Sequence, residues 1–149
     1  MLRYDNPATD AAPVAAGVLG QADFTSAAFV TTVAGLWYPE GLACSGTTLY
    51  VLDAGNSRVL RYDNAAAKTN GAPANAVFGQ PDFTSGNSNG GSSGPGANGF
   101  LSPSDVAISS ERGSFYLWVA DLANNRVLGF PDPEASPSTG ATATRVLGQ

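Results

Sequence analysis

The stretch LYVLDAGNSRVL, residues 49–60, returns as LWVADLANNRVL at residues 117–128. Each copy opens on an apolar run, breaks at an Asp followed by small and amide residues, and resumes with Arg-Val-Leu. That order predicts a strand, a tight turn and a second strand. The recurrence extends beyond this stretch on both sides. Arg3-Tyr4-Asp5-Asn6 comes back as Arg61-Tyr62-Asp63-Asn64, and VLGQADFTS (18–26) as VFGQPDFTS (77–85). YPEGLA (38–43) is matched by SPSDVA (102–107), and VLGQ recurs at 146–149. The spacing between copies grows only across polar, Gly-, Pro- and Ser-rich stretches, where insertions are tolerated.

Each unit therefore reads as four short strands. In the first full unit they fall at 41–45, 48–52, 58–62 and 76–80, and in the second at 105–109, 115–120, 126–130 and 145–149. No window sustains a 3.6-residue apolar period, so essentially no helix is expected. The predicted fold class is all-β, a partial β-propeller of four-stranded antiparallel blades. The array divides into a half blade with its connection (1–35), a blade (36–80), a connection (81–102) and a second blade (103–149). The Gly-rich segment GNSNGGSSGPGANG (86–99) lies inside a repeat and reads as a lengthened connection. Two and a half blades do not close a ring of roughly four to eight. The expectation is that the 149-residue species is not a stable monomer, and that further blades or other copies complete it.

The sequence resembles the NHL-repeat propellers, bacterial long-loop members in particular. The matching residues are Pro39, Gly41 and Ala43 followed by LYVLDAGNSRV, then Pro103 and Ala107 followed by LWVADLANNRV, with GQxDFTS between. Asp105 stands where that pattern has Gly. The resemblance implies protein, carbohydrate or surface-binding roles as often as chemistry. Related six-bladed propellers include calcium-dependent lactonases and metal-dependent lyases.

Composition limits the chemistry. There are seven basic and twelve acidic side chains, a net charge of −5, so a polyphosphate partner has little electrostatic reason to bind, and no nucleic acid is expected. Histidine is absent, which removes the commonest general base and nearly all catalytic zinc arrangements. The single cysteine, Cys44, rules out an internal disulfide framework; aligned with Ile108, it is expected in the core. No apolar run is long enough for a membrane span, and the amino terminus has no secretory h-region.

The repeated signature Asp53, Asn56, Arg58 and Asp121, Asn124, Arg126 invites a calcium or sugar reading. Three donors per unit fall short of the about six to eight oxygens calcium takes. Asp and Asn at a turn bond nearby amides and tolerate left-handed geometry, and Arg can bridge carbonyls, so these six are expected to be structural. Phe24 and Phe83 are expected to pack on the neighbouring unit's edge. Trp118, mid-strand, is expected between blades. Trp37 and Tyr38 are the candidates for surface binding by stacking. No catalytic or metal residues and no cofactor are assigned. The expected function is a non-catalytic binding or scaffolding module, extracellular or at a cell surface, with protein and carbohydrate as partner classes. A fragment of a metal-dependent hydrolase or lyase and a subunit of a homopolymeric assembly are the alternatives.

Overall fold

The computed structural model describes residues 1–5, 12–111 and 113–149. The chain is all-β; among the described residues helix is confined to short 3₁₀ turns. Among the described residues ten strands form three antiparallel sheets that do not close into a barrel. Strands β1 (Leu2–Arg3) and β2 (Gly17–Val18) pair with each other. Strands β3 (Pro39–Ser45), β4 (Thr48–Asp53), β5 (Arg58–Tyr62) and β6 (Ala76–Phe78) form one meander. A second meander joins β7 (Asp105–Glu111), β8 (Ser114–Asp121), β9 (Arg126–Pro131) and β10 (Arg145–Leu147). No helix among the described residues is long and apolar enough to cross a membrane.

Register explains which residues face which neighbour. Tyr50 lies opposite Arg61 and Leu52 opposite Val59, while Leu49, Val51, Leu60 and Tyr62 pair on the other face. Alternation thus sends Tyr50, Leu52, Val59, Ala76 and Phe78 toward the second meander. There they meet Val106, Leu117, Val119, Leu128 and Phe130 from one face of that sheet. Phe130 sits edge-on to Phe78 at 5.4 Å and to Phe100 at 5.9 Å, the geometry aromatic pairs prefer. Arg61, on the same face, donates to the carbonyls of Pro133 and Glu134 at 2.6 and 2.9 Å. The opposite face of β4–β6 packs on Leu19, just after β2, and on Leu36, just before β3.

The two meanders differ in how they are covered. Both faces of β4 are buried, whereas β8 alternates between buried and half-exposed residues. Register matches Trp118, Ala120 and Val127 to the buried Tyr50, Leu52 and Val59 of the first sheet. The open face therefore presents Tyr116, Trp118, Ala120, Val127 and Leu147, with Leu147 exposed by 56%. Trp118 is half-exposed there rather than enclosed, because no third sheet lies on it; its Nε1 donates to Ser109 Oγ at 2.7 Å. At the other end of the molecule a groove of about 400 Å³ flanks β1, lined by Met1, Leu2, Leu19, Cys44 and Leu49. Cys44 is exposed in this groove and not in the core as expected, because β3 has no neighbour over that face. Phe83 packs against the core, while Phe24 is half in water.

Candidate functional site

The signature residues meet at the corner where each second strand turns into the third. Asp53 ends β4 and is fully buried; its carboxylate accepts from Arg58 Nε at 2.6 Å, Asn56 Nδ2 at 2.8 Å and the Trp37 amide at 2.6 Å. Arg58 is also fully buried and donates to the carbonyls of Phe83, Thr32 and Gly35. One ion pair thus clamps two connecting segments onto the β4–β5 corner. Asp121 repeats the pattern, accepting from Arg126 Nε, Asn124 Nδ2 and the Leu101 amide, and Arg126 donates to the carbonyls of Gly96 and Gly99. Arg126 reaches into the Gly-rich segment, and Asn124 also bonds Asn89 Oδ1 there, so that segment is docked on the corner.

These carboxylate oxygens are consumed by protein donors. Among the described residues no group of three His, Cys, Asp or Glu side chains is arranged to hold a metal ion. The left-handed position of each corner falls on Ser57 (φ 50°) and Asn125 (φ 53°), one residue after the Asn that the sequence pointed to. Asn56 and Asn124 instead lie in the 3₁₀ turn and spend their amides on the Asp.

The GQxDFTS segment is a local device of another kind. Asp23 Oδ1 accepts from the amides and hydroxyls of both Thr25 and Ser26 at 2.7–2.9 Å, and Asp82 binds Thr84 and the Ser85 amide in the same way. The Ser26 hydroxyl first, then Thr25, holds the Asp23 carboxyl down at about 2, from an ordinary value near 4. A depressed carboxyl contributes stability that is present above its unfolded value and is lost as pH falls through the folded one. The contribution of Asp23 therefore disappears between about pH 4 and pH 2. Carbon-13 titration of the carboxyl is expected to show its midpoint near 2, moving up toward the ordinary value in Ser26→Ala.

Beside the first corner stand the aromatic candidates. Trp37 and Tyr38 stack at 5.9 Å, and Phe29, which the sequence reading passed over, extends the column with 5.6 Å to Trp37. Phe29 is 70% exposed and Tyr38 69%. The only trace of Phe29 in sequence is a lone aromatic in the connection at 27–36, a stretch whose counterpart is Gly- and Ser-rich. Trp37 and Tyr38 accept from the amides of Gly55 and Ala54, and a Cβ on Gly55 would come within 2.7 Å of the Trp37 ring. A cleft of about 270 Å³ adjoins Tyr38, lined by Glu40, Ser102, Pro103, Ser104 and Leu122.

The second unit provides an internal control. Leu101 and Ser102 occupy the places of Trp37 and Tyr38. The Leu101 amide bonds Asp121, its carbonyl accepts from Ala123, and Ser102 takes the same left-handed backbone (φ 47° against 49° at Tyr38). The corner therefore forms without aromatic side chains; the rings at Phe29, Trp37 and Tyr38 are additional to what the turn requires. No family model and no curated protein matches this chain.

Proposed function

We propose that the chain is a segment of an NHL-type β-propeller that binds rather than catalyses, a protein- or carbohydrate-binding or scaffolding module. The observation that carries this reading is the division of labour at the first corner. Every signature acid and arginine is engaged in holding the connections, while beside them the rings of Phe29 and Tyr38 lie largely in solvent. Exposed aromatic surface of this kind marks an interaction site in a folded protein. The face-to-face stacking of successive sheets, and the open face of β7–β10, support completion by further sheets of the same kind or by other copies. The reading places no metal in the chain. Thermal unfolding in the presence of calcium, manganese or zinc, and after chelation, is expected to leave the midpoint unchanged within about one degree. A metal retained at one equivalent, with a midpoint several degrees lower after chelation, contradicts it and favours the hydrolase or lyase alternative.

A further inference from the structure

The ligand class of this site follows from what lines it, and the inference rests on the binding reading above. We propose that the Phe29–Trp37–Tyr38 column and its neighbouring cleft bind an uncharged saccharide chain. The column offers ring surface at Phe29 and Tyr38, suited to the apolar C–H face of a pyranose. Next to Tyr38, the cleft sets two hydroxyls, Ser102 and Ser104, and one carboxylate, Glu40, within the same small volume. No cation lines the cleft, and the chain carries a net charge of −5, so an anionic ligand meets only repulsion there. The carboxylate of Glu40 takes hydrogen-bond donors only. Sugar hydroxyls both donate and accept, and so serve Glu40 and the two serines together. An unbroken polyproline stretch, the other familiar occupant of aromatic-lined grooves, has no backbone N–H and offers Glu40 no donor of its own.

The site is also preorganised. Tyr38 is held at a φ of 49°, a conformation that costs a non-glycine residue, by the Ala54 amide, and Gly55 makes room for the indole of Trp37. A backbone fixed before binding loses little freedom on contact with a ligand. The second unit, with Leu101, Ser102 and Ala123 at these places, keeps the backbone and lacks the rings.

The test is calorimetric titration of the 149-residue protein with cellohexaose, with an oligogalacturonate of equal length, and with decaproline. The double variant Trp37→Leu, Tyr38→Ser copies the second unit and is expected to unfold within a few degrees of the parent. Cellohexaose is expected to bind, the oligogalacturonate at least tenfold more weakly, and the double variant to lose at least tenfold in affinity. Decaproline binding in place of the sugar overturns the ligand class. Saccharide binding that survives the double variant overturns the location, oligogalacturonate binding as tight as cellohexaose overturns the uncharged class, and no binding of any of the three probes overturns the inference. None of these results requires bound metal, so the failure of the saccharide assignment and that of the non-catalytic reading are told apart by the chelation experiment.

Discussion

Replacing Arg58 with Met is expected to destabilise the protein by about 3–5 kcal/mol, the usual cost of breaking a buried ion pair from one side. The carboxylate of Asp53 would stay buried with its strongest donor gone. The carbonyls of Thr32, Gly35 and Phe83 would lose their partner in the same step. Set against a typical total of about 5–15 kcal/mol, that loss leaves little margin. Pairing the change with Asp53→Leu, which removes the orphaned charge, is expected to recover only part of it. Swapping a buried ion pair for apolar residues is often harmless, but this guanidinium also holds two connecting segments. Arg126→Met is expected to cost less, about 1.5–3 kcal/mol, because Arg126 retains some exposure and reaches two carbonyls instead of three. Urea unfolding midpoints with an unchanged slope are the measurement. A loss below about 1 kcal/mol for Arg58→Met would contradict the structural assignment of the signature.

Trp118→Glu is expected to act on assembly rather than on the fold. The tryptophan lies on Gly129, whose missing side chain leaves room for the indole, and stacks on Tyr116 at 5.5 Å; Arg145 in turn sits over the Tyr116 ring at 4.5 Å. This face occupies the register positions that in the first sheet are fully buried beneath the second. Repeat sheets bury such faces only against neighbours, and a broad apolar face left in water promotes association. A carboxylate at its centre would have to be desolvated in any stacked arrangement, at a cost of several kcal/mol, while in an isolated chain it remains hydrated. The variant is therefore expected to populate the single chain and to keep its β spectrum.

Much of the architecture was legible in the sequence because the same physics is written more than once. Two copies of Asp-x-x-Asn-x-Arg, each between apolar runs, place two strands and a turn in each unit, and β4, β5, β8 and β9 begin or end within a residue of the expected limits. The third strand of each unit starts at the signature arginine, Arg58 or Arg126, as expected. What a repeat does not carry was harder to read. Cys44 and Trp118 occupy strand positions that are buried wherever a neighbour sits on them, so their exposure depends on the neighbour and not on their own segment. Asn56 has the side chain that tolerates left-handed backbone, but it ends the 3₁₀ turn, and the left-handed role falls to Ser57. Phe29 lies in a connection without periodicity, and only the folded path brings its ring onto Trp37.

Residues 1–149 stack two four-stranded sheets, and the open face of the second is expected to require a neighbour. Sedimentation velocity of the 149-residue protein over a range of concentrations tests it most directly. Species heavier than the 15.1 kDa single chain are expected, collapsing to that mass in Trp118→Glu. A sharp 15.1 kDa boundary for the parent at every concentration, with cooperative unfolding, would contradict it.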